Sequence, residues 1–211
     1  MSPRCDRRLA SLRPGGFKVA CEMLSREARL SAEVEADVMT DAIAFKKTMR
    51  QLASGVFVVT SRLDDRPHAT TATAFLPLSA EPPLVLVCVH RDSDTHRALS
   101  QVTHFGINML SSAQAALSTR FSGKSAERYR FDDVPRFEGP HRSLFFRDSA
   151  AHIEVETQST TAGGDHTIFI ARVLWLQSDA KLAPLVYHRG GHHLLQPIEA
   201  LEAAEPTRRA G

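Results

Sequence analysis

Val56-Phe57-Val58-Val59-Thr60 is a run of β-branched and aromatic residues, the polar turn Leu63 to Pro67 follows it, and a second extended run, His68 to Phe75, follows the turn. Residues of this kind favour the pleated chain, and a connection so short joins antiparallel neighbours, so the stretch reads as a hairpin. Downstream, Pro82 and Pro83 open Leu84 to Val89, an unbroken apolar run that reads as a strand buried on both faces, with Cys88 a buried thiol within it. Phe105 to Leu110 reads as the next strand. Ile153 and Val155 alternate with Glu154 and Glu156, the pattern of a half-exposed antiparallel strand. The turn Ala162 to Asp165 leads into Thr167 to Leu176, the longest candidate, and Pro184 to Tyr187 supplies a short last one. Most of these runs are joined by turns too short for a helical crossover, which predicts a mainly β chain closed into an antiparallel barrel.

Helices are few. Thr40 or Asp41 caps a helix with Ile43, Met49, Leu52 and Ala53 on one face and Gly55 as its stop. A short helical segment is predicted over Thr95 to Val102, and Ser111 with Gln114 makes a capping box for a helix ending near Gly123. Residues 124–148 are polar and read as a long loop able to cover a site. Residues 1–38 alternate Arg, Glu and small side chains without holding one apolar face, so they read as a loosely attached extension, with Met39 the expected start of translation. The barrel domain is expected over 39–196 and a tail, helical or disordered, over 197–211.

Composition excludes several classes. Lys plus Arg total 26 against 24 Asp plus Glu, and a net charge of +2 gives no electrostatic reason for a nucleic-acid partner. The apolar run Leu84 to Val89 is far short of the roughly 20 residues that cross a bilayer, and no secretory apolar segment follows the N-terminal arginines, so the expected compartment is the cytoplasm and no membrane partner is expected. Cys5, Cys21 and Cys88 are odd in number and widely spaced, the usage of reduced thiols. No GxGxxG follows a strand, no P-loop occurs, and no Ser sits in a GxSxG elbow. His188, His192 and His193 lie close together without the carboxylate or thiol spacing of a metal centre, so they read as a surface loop and no metal is expected.

Two positions remain for chemistry. Ser93, Thr95 and the run Phe121-Ser122-Gly123-Lys124 place hydroxyls, backbone N–H groups and a cation at loop and helix ends, which suits a phosphate; capping by Ser93 or Thr95 and a Gly123 stop is the competing reading. His166 stands between Asp165 and Thr167 at the mouth of the longest strand, where a ring can meet a ligand or simply close a turn.

In order along the chain, Phe45-Lys46-Lys47-Thr48-Met49, Ala53 to Thr60, Arg66-Pro67-His68, Thr71 to Phe75, Ser79 to Val89, Ser93-Asp94-Thr95-His96, Phe105 to Leu110, Phe121-Ser122-Gly123, Gly164 to Ile170 and Pro184 to Gly190 together resemble the short-chain flavin reductase family. The colinear similarity runs from about residue 42 to 195. It implies an antiparallel split β-barrel, a homodimer binding FMN or FAD at the subunit interface, reduction of that flavin by NADH or NADPH, and a flavin-dependent monooxygenase as partner. The resemblance also assigns Thr71, Ala72, Thr73, Ala74 and Phe75 to the isoalloxazine border, Ser93 and Thr95 to the flavin chain, and Phe121, Ser122, Gly123 and Lys124 to its phosphate. His166, assigned to catalysis, lines the nicotinamide side with Tyr187 and Arg189. The chain departs from many relatives with Ala69-Thr70 before the flavin segment and Leu76-Pro77 after it, and with Asp92 and Asp94 flanking Ser93, where two carboxylates would repel a phosphate. A barrel that stores flavin or keeps it as a tight prosthetic group is the alternative.

Overall fold

The computed structural model describes residues 41–123 and 131–198, so the extension 1–38, the expected start at Met39 and all of the tail beyond residue 198 lie outside the described residues. The chain divides into two compact units, Met1–Met49 and Arg50–Gly211. In the first, helix α1 (Ala42–Met49) begins where Asp41 Oδ1 accepts from the N–H groups of Ile43, at 2.7 Å, and Ala44, at 2.6 Å. The expected continuation through Leu52 and Ala53 is absent, and Gly55 is not the helix stop but part of a strand.

Among the described residues the second unit holds three antiparallel sheets. Strands β1 (Ser54–Gly55), β2 (Phe57–Leu63), β3 (Arg66–Ala72), β4 (Phe75–Ala80) and β5 (Pro83–His90) precede helix α2 (Asp94–Leu99) and β6 (His104–Met109). A 3₁₀ turn and α3 (Ala115–Arg120) follow, then β7 (Arg136–Glu138), β8 (Leu144–Phe146), β9 (Ala151–Gly163), β10 (His166–Ser178), β11 (Leu185–His188) and β12 (Gly191–Leu194). The large sheet runs in the order β3-β2-β6-β9-β10-β5-β4; β1, β11 and β12 form a small one, and β7 pairs only with β8 among the described strands. Asp64 and Asp65 join β2 to β3 with φ of 49° and 59°, and Arg189 and Gly190 join β11 to β12 with φ of 51° and 89°. Two consecutive positive φ values give the turn whose twist matches that of the strands.

The core is split by β2. Phe57 and Val59 pack with Val87, Phe105, Ile107 and Phe169, whereas Val56 and Val58 pack with Leu110, Phe121, Phe146 and Leu185. The strand buried on both faces is therefore β2, not β5. In β5 only Val85, Val87 and Val89 are buried, and Leu84, Leu86 and Cys88 are half-buried on the other face. The segment 124–148 is not a loop over a site where it is described: Phe131, Val134, Leu144, Phe145 and Phe146 are core residues, and only 124–130 lies outside the described residues.

Glu154 is the largest departure from the sequence pattern, because its side chain is fully buried instead of half-exposed. The N–H of His141 donates to both of its carboxylate oxygens, at 3.1 and 3.0 Å, and the N–H of Ser143 donates to Oε1 at 2.9 Å. Gly139 packs against the same group, where an added Cβ would meet Glu154 Oε2 at 2.8 Å and Phe145 at 2.6 Å. Burial pushes the carboxyl up, but these donors outweigh it and hold Glu154 below the usual carboxylate range. A depressed folded-state pKa stabilises the fold above the unfolded value and loses that contribution as pH falls through and below it. In urea unfolding at pH 7, Glu154→Gln is expected to lose roughly 1.5 to 3 kcal/mol and to flatten the decline in stability below about pH 4; unchanged midpoints at both pH values would contradict the latch.

Candidate functional site

The register of β2 against β3 decides which hydroxyls reach open space. Val58 pairs with Thr71 and Phe57 with Ala72, so Ala72 turns to the Phe57 side of the core and Thr71 to the opposite face. Thr71 is then pinned twice, its N–H donating to Phe121 O at 3.0 Å and its Oγ1 to Ser118 O at 2.7 Å. These bonds bring the end of β3 against the C-terminal end of α3, and two cavities open on either side of the junction.

The first, of about 350 Å³, is bordered by His68, His90, Asp92, Ser93 and Thr95. The second, of about 430 Å³, is bordered by Thr73, Ser118, Ser122, Tyr187 and His192. Thr71 and Gly123 line both, and a Cβ added to Gly123 would meet nothing within 4 Å. Hydroxyls dominate the second cavity, while Asp92 and Asp94 border the first, Asp94 in an ion pair with Arg97. His68 is held below the ordinary histidine range by burial and then by Arg97 and Arg66, so it presents a neutral ring at pH 7.

Of the 71–75 segment, Thr71 and Thr73 reach the cavities; Phe75 packs on Phe57 with centroids 4.4 Å apart, and Ala74 O accepts from the N–H of Cys88. Ser93 lines the first cavity while capping α2, its Oγ accepting from the N–H of His96 at 3.0 Å and donating to His90 O at 2.8 Å. The capping reading of Ser93 is the one its hydrogen bonds display. Phe121 borders the first cavity, but its ring is core, stacked on Phe146 at 5.1 Å. Ser122 borders the second cavity and Gly123 both, and Lys124 lies outside the described residues.

The three nicotinamide-side residues are not gathered in one place. His166 Nδ1 lies 2.7 Å from Asp165 Oδ1, and its ring meets His90 edge-on at 5.1 Å, which sets it beside the first cavity. Tyr187 lines the second cavity. Arg189 sits in the β11–β12 turn with Nε and Nη2 donating to Gln51 Oε1, at 2.9 and 2.7 Å. Sequence reading missed His68, His90, Ser118 and His192. His192 is not part of a surface loop with His188 and His193 but a β12 residue whose Nε2 lies 3.0 Å from Ser118 Oγ. The period-two alternation after the Gly190 turn was its one signal. Among the described residues no group of His, Cys, Asp or Glu fits a metal ion.

The flavin reductase like domain matches residues 49–195. The chain belongs to the flavin reductase family. It is 34% identical to the reductase component of a 4-nitrophenol 4-monooxygenase/4-nitrocatechol 2-monooxygenase from Rhodococcus opacus, over 72% of this chain and 81% of that protein. To the 4-hydroxyphenylacetate 3-monooxygenase reductase component of Thermus thermophilus it is 32% identical, over 72% and 95%. Among solved structures, the NADH:FAD oxidoreductase SgcE6 of Streptomyces globisporus, in complex with NAD and FAD fragments, superposes with a TM-score of 0.70 at 27% identity, covering 75% of this chain and 94% of that one. The antiparallel architecture of this flavin reductase is thus the split barrel that the resemblance implied.

The residues present fit a flavin: a hydroxyl-rich lining suits its ribityl and phosphate oxygens, and the open face at Gly123 lets backbone approach it. Ser118→Ala removes one hydroxyl and the partner of His192 while keeping the carbonyl that Thr71 needs. Fluorescence titration is expected to show about five- to tenfold weaker flavin binding, the size of one neutral hydrogen bond; wild-type affinity in a folded variant would move the flavin away from the second cavity.

Proposed function

We propose that this flavin reductase is the reductase half of a two-component system: it reduces diffusible FAD with NADH and releases the product to a separate flavin-dependent monooxygenase. The observation that carries the reading is the meeting of two cavities at Thr71 and Gly123, with the Asp165–His166 pair beside the first. Both cavities are open grooves, which suits a flavin that enters and leaves with each turnover.

When bound, the flavin supplies an acceptor for the hydride of the nicotinamide. The work of the chain is placement. Thr71, Thr73, Ser118 and Ser122 hold the flavin side, and the backbone bonds of Thr71 to α3 keep those hydroxyls in register. Asp165 holds the Nδ1–H of His166, which leaves Nε2 as the free edge of the ring toward the incoming nicotinamide. Misplacement of a reacting pair by about 1 Å costs on the order of 100-fold in rate, so this orientation is where the protein contributes most. FAD and NADH are favoured over FMN and NADPH by the similarity to the NADH:FAD oxidoreductase SgcE6 and to the reductase component of an FADH(2)-dependent resorcinol hydroxylase from Rhizobium.

The molecule is proposed to be a homodimer. Leu76 and Leu78 stand 52% and 46% exposed on the edge strand β4, an apolar stretch suited to cover by a second copy. We place the protein in the cytoplasm, as its widely spaced cysteines suit a reducing compartment, and we assign residues 1–38 no part in the reaction. Gel filtration with light scattering is expected to give a colourless particle of about twice 23.3 kDa that oxidises NADH only when FAD is added. A yellow protein whose rate is indifferent to added flavin would instead establish the tightly held prosthetic group.

A further inference from the structure

A second imidazole, that of His90, stands beside His166. His90 ends β5 directly opposite His166 in the β5–β10 ladder. The N–H of Asp92 donates to His90 Nδ1 at 3.2 Å, so in the neutral ring the proton sits on Nε2. That nitrogen faces Asp165 Oδ2 at 3.8 Å, while Oδ1 of the same carboxylate takes the Nδ1–H of His166 at 2.7 Å. The N–H of Arg91 donates to Asp165 O at 3.0 Å and ties the two segments together. One carboxylate therefore stands between two imidazoles, bonded to His166 and within ion-pair reach of His90, which lines the first cavity.

We propose that His90 is a positioning residue for flavin reduction: by sharing Asp165 with His166, it sets the charge and orientation with which His166 meets the nicotinamide. The proposal rests on the reductase reading above. The other charged groups around the pair are Arg91 and Asp92 on the same loop, Asp94, His96 and Arg97 of α2, and His68 of β3. Asp94 pairs with Arg97, and His96 Nε2 lies 2.9 Å from Thr167 Oγ1. Burial lowers both His96 and His68, so neither competes for a proton near neutral pH. Asp165 is held below its ordinary value first by its hydrogen bond with His166, so it stays charged between the two rings.

The two ring centroids lie 5.1 Å apart and meet edge-on. A proton on His90 repels one on His166, and two unit charges about 5 Å apart in water displace a titration by about half a pH unit. His90→Asn is the informative variant, since its Oδ1 keeps the acceptor for the Asp92 N–H while Nε2 is removed.

Imidazole NMR titrations of the flavin-free protein test the coupling without relying on activity. In His90→Asn the His166 midpoint is expected to rise by about half a unit, and in Asp165→Asn to fall. Rapid-mixing reduction of FAD by NADH should show its pH profile moving in the same directions, with flavin affinity unchanged. A His166 titration and a pH profile identical to wild type in His90→Asn overturn the proposal. Should that variant fail to fold, Asp165→Asn decides: displacement of both the His90 and the His166 imidazole signals from their wild-type titrations supports the shared carboxylate, and displacement of His166 alone overturns it. Wild-type protein that reduces no flavin with NADH overturns the reductase reading itself, whatever the titrations show.

Discussion

Strand β2 is buried on both faces, and the rest of the second unit is arranged around that constraint. A strand with no solvent-facing side must have its backbone groups paired by neighbours. Strand β3 pairs along one edge and β6 along the other, with Val58 opposite both Thr71 and Asn108. Buried polar side chains complete the pairing and admit the outer layer. Asn108 Nδ2 donates to Val58 O at 3.1 Å, its Oδ1 accepts from the N–H of Phe146 at 2.8 Å, and Thr60 Oγ1 donates to Leu144 O at 2.5 Å. The β7–β8 hairpin is thereby tied to β2, and Glu154 fastens the loop between its strands. Slippage of β3 by one residue would turn Thr71 toward the core and Ala72 toward the cavities, so the same pairing that builds the core places the flavin-side hydroxyls.

The β-rich class and most strand positions were legible because alternation and short turns are local signals. The turn at Asp64–Asp65 and the strand that starts at His166 follow from residues adjacent in the chain. What could not be read locally was burial. Leu84 to Val89 looked more buried than Val56 to Thr60 because its run is purely apolar, but the second layer covering β2 comes from Phe121, Phe131 and Phe146, residues 60 to 90 positions away in the chain. Glu154 misled for the same reason, since its donors are backbone N–H groups of a loop that no side-chain pattern announces.

The candidate site was legible as a set of segments and not as a shape. Thr71, Thr73, Ser93, Thr95, Ser122 and Gly123 do gather around one junction. Arg189 had no such neighbours, because its turn geometry sends the guanidinium to Gln51. The histidines divide likewise: His192 and His90 reach cavities, and His193 Nε2 bonds back to His188 O at 3.1 Å. Which histidine of a cluster faces inward depends on strand pairing, a property of the assembled sheet.

The central claim is that the flavin enters the groove at Thr71 and Gly123, although a third cavity of about 420 Å³ lined by Arg62, His104 and His141 is similar in volume. Amide chemical-shift mapping during titration with FAD decides between them. The account predicts that shifts concentrate at Thr71, Thr73, Ser118, Ser122 and Gly123. Shifts concentrated at Arg62, Thr103, His104 and Ser143, with Thr71 and Gly123 unmoved, would contradict it.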